Sequence, residues 1–219
     1  MCKAVRLTVS FLVLAGIAGA ATQHFLTFGK WMPVKWYVGA QESKVEALKV
    51  RPLYVDGKLK EFTLGEPHEI TDRLMVVRRS FRLNDQLPED AKRVPQWKWQ
   101  RGGWLLVDRS TGKVSQLTLP EFDFFYSAAS WYRDYVAYCG MSDDGGKVYA
   151  IVAQLGRKKP LVKKELGAAL QSDIPDSQCA VPTWQRQPTR VNVMPHTGEQ
   201  FHVVVRGHTA DVITTADEE

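Results

Sequence analysis

The stretch Pro52-Leu53-Tyr54-Val55-Asp56-Gly57-Lys58-Leu59-Lys60-Glu61-Phe62-Thr63-Leu64 decides the fold class. Two apolar runs flank an Asp-Gly pair, the residue pair that best tolerates the two positive φ angles of a two-residue hairpin turn. The same pattern, a strand, a turn and a second strand, recurs three more times. It is read at Trp104 to Asp108 with Thr111-Gly112 and Val114 to Leu119, and at Tyr149 to Gln154 with Gly156-Arg157 and Leu161 to Leu166. The last copy is Val203 to Arg206 with Gly207-His208 and Asp211 to Thr215. Runs at Leu74 to Val77 and Tyr135 to Tyr138 add further strands. No long 3.6-residue apolar period follows Ala20. Only Glu165 to Gln171 and the segment after Pro88 suggest short helices. The fold expected is all-β.

The second strands of the four hairpins start at 59, 114, 161 and 211. A spacing of roughly 50 residues is the period of propeller blades. The hairpin from Val107-Asp108 to Gly112-Lys113-Val114, together with Ser130-Trp131-Tyr132-Arg133-Asp134-Tyr135-Val136-Ala137-Tyr138, resembles the strands of β-propeller repeat proteins over most of residues 45–216. The resemblance implies a small, about four-bladed, propeller-like arrangement of antiparallel sheets, and a scaffold but no activity. A β-sandwich built from the same hairpins is the alternative.

The chain has 219 residues. Lys3 and Arg6 precede an apolar run from Leu7 to about Ala21, and Ala18-Gly19-Ala20 offers a cleavage site. This is the pattern of a secretory signal peptide over residues 1–20; an uncleaved anchor is the other reading. Residues 21–44 then read as an N-terminal extension and 45–219 as an all-β repeat domain. The expected location is periplasmic or secreted, with no stable membrane span after signal cleavage. Loss of residues 1–20 takes the net charge from +5 to 27 − 24 = +3, too small a surplus to argue for nucleic acid. Cys139 and Cys179 remain as an even pair. In an oxidising compartment they predict one disulfide closing a loop of about 40 residues and contributing roughly 3–4 kcal/mol.

The signatures of common enzyme classes are missing from the sequence: G-x-S-x-G, H-E-x-x-H, C-x-x-C and the Rossmann glycines. Gly140 to Lys147 fails the spacing of a phosphate loop and reads as a polar hairpin tip. His68-Glu69 with Asp72 lacks the second zinc histidine, and His196, His202 and His208 are separated by Gly198 and Gly207, so no metal site and no cofactor is expected. Trp97 and Trp99 share one strand face. Exposed, they would form a platform for a sugar or a protein; burial is the commoner fate of such aromatics and is the expectation here. Trp131, Arg133 and Asp134 complete the candidate binding set, since in a propeller they would face the central opening. The basic run Arg157-Lys158-Lys159 with Lys163-Lys164 reads as a solvated edge. These features favour an exported, non-enzymatic binding or interaction module of the cell envelope, with an unknown envelope protein or glycan as partner. A hydrolase or lyase assembled from Asp123, Asp134, Asp143 and His202, and a structural subunit of an envelope complex, are the alternatives.

Overall fold

The computed structural model describes residues 24–38, 42–87, 89, 94–170, 172–196 and 198–214. The signal peptide read over residues 1–20 and most of the segment after Pro88 lie outside them. The described residues form three antiparallel sheets, none closed into a barrel, and contain no α-helix. No helix among them is long and apolar enough to cross a membrane.

The first sheet has seven strands: β1 (Leu26–Phe28), β2 (Met32–Val38), β3 (Lys44–Val55), β4 (Lys58–Glu69), β5 (Leu74–Asn84), β6 (Trp97–Asp108) and β7 (Lys113–Leu117). Its order is β1-β3-β4-β5-β6-β7, and β2 runs beside β1 along the same edge of β3, opposite Lys44 to Val50. The Asp56-Gly57 turn joins β3 to β4 with φ of 52° and 73°, and Val55 faces Lys58 across it. That is the geometry for which an Asp-Gly pair is suited. β1 and β2 fall within residues 26–38, in the segment read from sequence as an extension, and are integral strands of the sheet.

This sheet curls. Leu53, Met75, Val77, Leu105 and Val107 are buried together, and Leu26 and Phe28 of β1 and Val114 of β7 pack on the same cluster. The first and last strands therefore share one concave core. The β6–β7 turn presses so closely on the β3–β4 turn that a Cβ at Gly112 would stand 2.9 Å from Val55 Cγ1; with φ of +63°, only glycine fits there without strain.

The second sheet is the meander β8 (Ser130–Tyr132), β9 (Tyr135–Met141), β10 (Lys147–Gln154) and β11 (Val162–Ala168). The third is the meander β12 (Thr183–Gln185), β13 (Arg190–Val193), β14 (Phe201–Arg206) and β15 (Thr209–Thr214). They pack face to face. Ala137, Cys139, Ala150 and Val152 of the second sheet meet Val191, Val193, Phe201, Val203 and Val205 of the third in one buried cluster. The alternate residues Val136, Tyr138, Ile151 and Ala153 point to the opposite face, toward the first sheet. A strand buried on both faces reads as a continuous apolar run, which is why Tyr135 to Tyr138 and Val148 to Val152 stand out in the sequence. A disulfide joins Cys139 to Cys179, tying β9 to the chain entering the third sheet.

All four hairpins form where the sequence places them, as β3–β4, β6–β7, β10–β11 and β14–β15. The first two belong to one sheet, so the 50-residue spacing does not mark one sheet per hairpin. The short helix expected from Glu165 is instead strand: Glu165 to Ala168 pair with Tyr149 to Lys147 of β10, and cross-strand pairing overrides a weak local helix preference.

Candidate functional site

β5 and β6 carry the candidate site on their outer halves. Two glycines, Gly102 and Gly103, sit where the β5–β6 register shifts between Arg78 and Ser80. A Cβ at Gly102 would crowd Arg79 Cβ at 3.1 Å, and one at Gly103 would touch the Phe124 ring. The bulge re-aims the strand. Inward of it Leu105 and Val107 enter the concave core. Outward of it, beyond Arg101, β6 carries Trp97 and Trp99 toward solvent.

Trp97 is 55% exposed, which corrects the expectation of burial drawn from its sequence; Trp99 is half-buried. Trp99 lies opposite Arg82, and Trp97 opposite Asn84, on the facing strand. The Arg82 guanidinium carbon sits 5.3 Å from the Trp97 ring centre, 5.4 Å from Trp99 and 5.8 Å from Phe62. Phe62 meets Trp99 edge-on at 5.0 Å. The result is a rank of three rings with one cation among them, on an open sheet face. Cation–π attraction of this kind orients the rings at a gain of about 0.5–1 kcal/mol at exposed sites.

Arg82 differs from the other arginines of β5 and β6. Arg79 pairs with Glu61 at 3.0 Å, and Arg101 grips Asp176 with two bonds of 2.7 and 2.9 Å while lying over Trp36. Arg78 donates to the carbonyls of Gly102 and Phe124, and burial together with the nearby Arg101 charge pushes its pKa down to about 9. Arg82 has no carboxylate partner among the described residues; only rings hold it.

The face ends at a plug of aromatic residues between the first and second sheets. Phe125 meets Trp36 edge-on at 5.7 Å, Phe122 meets Tyr138 at 5.2 Å, and the Tyr138 hydroxyl donates to Pro120 O at 2.6 Å. Burial drives the Tyr138 phenol pKa upward. Gly140 of β9 accommodates this plug: a Cβ there would fall 2.4 Å from Glu121 O. Asp123 organises the plug by accepting from the Phe125 and Tyr126 amides at 2.7 and 2.8 Å. Beside it a cleft of about 310 Å³ is lined by Arg79, Phe81, Trp104, Leu119, Phe122 and Phe124 among others.

The remaining candidates lie elsewhere. Trp131 packs edge-on against Trp104 at 5.4 Å and stacks on His68 at 6.1 Å, half-buried between sheets; neither indole N–H of that pair has a hydrogen-bond partner among the described residues. Trp104 stands seven residues from Trp97, roughly 23 Å along the strand, so Trp131 and Trp97 do not share a surface. Arg133 and Asp134 form the tight turn between β8 and β9, with Arg133 at φ 51°. His68 Nε2 contacts the Arg133 carbonyl at 2.8 Å. Asp134 accepts from Gln154 Nε2 at 2.8 Å, and Gln154 Oε1 in turn meets His208 Nδ1 at 3.1 Å. The His68 contact joins the first sheet to the second, and the Gln154–His208 contact joins the second to the third.

Of the acidic set, Asp123 and Asp143 line one cleft with Glu121 and Tyr126, while Asp134 and His202 lie apart from it on other strands and turns. No group of three or more His, Cys, Asp or Glu residues able to hold a metal occurs among the described residues. In the basic run Lys163 bonds Glu121 at 2.5 Å and Arg157 donates to His208 O at 2.9 Å, while Lys158 and Lys159 are exposed.

Sequence reasoning found Trp97 and Trp99 but missed Arg82 and Phe62. The alternation Arg78, Ser80, Arg82 beside an apolar strand was the available signal. Comparison of the chain with known proteins finds no matching family model, no matching curated protein and no matching solved structure.

Proposed function

We propose that this protein is an exported, non-enzymatic binding module whose binding face is the rank Trp97, Arg82, Trp99 and Phe62. The observation that carries this reading is Trp97 itself, 55% exposed and held against Arg82, with no element covering it among the described residues. Indoles on a rigid strand offer a large contact area with little conformational entropy to lose. Export to the periplasm or outside the cell accords with the disulfide, a cross-link that persists in oxidising compartments.

The scaffold reading we favour treats the β8–β11 and β12–β15 meanders as blade-like units stacked face to face, as in a propeller. A β-sandwich of the same two sheets is the alternative, and the same core contacts support it. A hydrolytic role would use the cleft holding Asp123 and Asp143, and the shared lining of that cleft is what favours it as a second reading.

The test is a binding screen of the protein lacking residues 1–20 against soluble polysaccharides and envelope protein extract, beside the double variant Trp97→Ala/Trp99→Ala. Binding by the parent and its loss in an equally folded double variant are expected. Undiminished binding by the double variant would remove this face from consideration.

A further inference from the structure

We infer that the ligand of this face is an acidic saccharide, with sugar rings stacked on Trp97 and Trp99 and a carboxylate held by Arg82. The inference rests on the binding-module reading and adds the chemistry of the ligand. Trp97 and Trp99 project from one face of β6 about 7 Å apart, so each indole covers one ring of an extended chain. The C–H face of a pyranose carries partial positive charge and suits the negative face of an indole. Arg82 supplies what rings alone lack. Its guanidinium is fixed by three rings and is without a carboxylate of its own among the described residues.

The contrast with its neighbours gives the sign of the ligand. Arg79 is neutralised by Glu61 and Arg101 by Asp176, while Lys98 on the same strand is held between Glu42 and Asp85. Glu61, Asp176, Glu42 and Asp85 are thus each engaged by another cation. Among the described residues Arg82 is left as the charge for a ligand to match. An arginine presents its donors in a planar fork that fits a carboxylate with two parallel bonds. Asn84, opposite Trp97, is occupied in closing the end of the hairpin: its Oδ1 accepts from the Gln86 and Gln96 amides at 3.3 and 3.1 Å.

The experiment titrates the protein with polygalacturonate and with its carboxyl-reduced form, following tryptophan fluorescence and calorimetry, and repeats both with Arg82→Gln and Trp97→Ala. The parent is expected to bind the polyuronate about tenfold or more tightly than the reduced polymer, the ratio a charge-assisted pair supplies. Arg82→Gln should bring the affinities for the two polymers together, and Trp97→Ala should weaken both while leaving the polyuronate the tighter ligand. Equal affinity for the two polymers, lost with Trp97→Ala, overturns the acidic preference and leaves the binding face standing. Binding of neither polymer, alongside capture of an envelope protein that Trp97→Ala abolishes, overturns the saccharide and leaves the face as a protein-binding one. Equal loss in Arg82→Gln and in a variant of a distant surface cation, Lys113→Gln, would reduce the effect to general charge and also overturn it.

Discussion

The core between the second and third sheets and the outer half of β5 and β6 cover their strands in opposite ways. Between the sheets, valines from β10, β13 and β14 meet in a buried apolar interface with Phe201, and a disulfide ties β9 to the chain that enters the third sheet. On β5 and β6 the strands end in arginines and indoles laid against one another, with no layer above Trp97 among the described residues. The first arrangement draws its stability from apolar area removed from water, which has no direction and needs no partner. The second fixes geometry and leaves surface in water. A strand that keeps its tryptophans outside is stabilised by the rest of the sheet and is free to present them.

The largest effect is expected where the first arrangement is broken. Phe201→Ala removes a 2%-exposed ring from the interface and should cost about 3–5 kcal/mol in denaturant unfolding. Replacing both cysteines, Cys139→Ser with Cys179→Ser, opens a loop whose closure spans 40 residues. It should cost about 4 kcal/mol in the same measurement, with the folded secondary structure unchanged by circular dichroism. Trp97→Ala is the sharpest test of the contrast: below about 1 kcal/mol of stability is expected to change while ligand binding falls. A loss comparable to that of Phe201→Ala would mean that the outer face is core after all.

The smallest effect concerns acid. His24 and the Phe25 amide both bond the Asp56 carboxylate, so its pKa lies below the ordinary carboxylate range. A carboxyl with a lowered folded pKa stabilises fully above the unfolded pKa of about 3.8, and loses that contribution as pH falls through the folded value. Asp56→Asn tolerates the same positive φ. It should lower the melting temperature slightly at pH 6 and converge with the parent as the pH falls through the lowered folded pKa of Asp56.

The hairpins were legible because their turns are encoded within a few residues: Asp56-Gly57 sets both the turn and the register of twelve-residue strands. The grouping of hairpins into sheets was not, because β3–β4 and β6–β7 join through β5, whose pairing depends on residues far apart in sequence. β2 was hidden by its exposed Lys35 and by Pro33, tolerated at an edge where β3 pairs it on one side only. The disulfide followed from compartment and cysteine count. At the site, Trp97-x-Trp99 was visible as a pattern, but its exposure depends on what lies above the strand, and Arg82 gains meaning only through rings on β4 and β6. Trp131 drew notice as an aromatic in a rich segment. Its contacts with Trp104 and His68 make it packing between sheets.

The Asp134–Gln154–His208 chain has a consequence for where a single hydrogen atom sits. A carboxylate only accepts, so Gln154 must turn its NH₂ toward Asp134 and its carbonyl toward His208. A carbonyl also only accepts, so the imidazole must carry its proton on Nδ1, leaving the Nε2 lone pair outward when the ring is neutral. The tautomer of a histidine in the β14–β15 turn is thus dictated by an aspartate in the β8–β9 turn, through an amide that can adopt one orientation only.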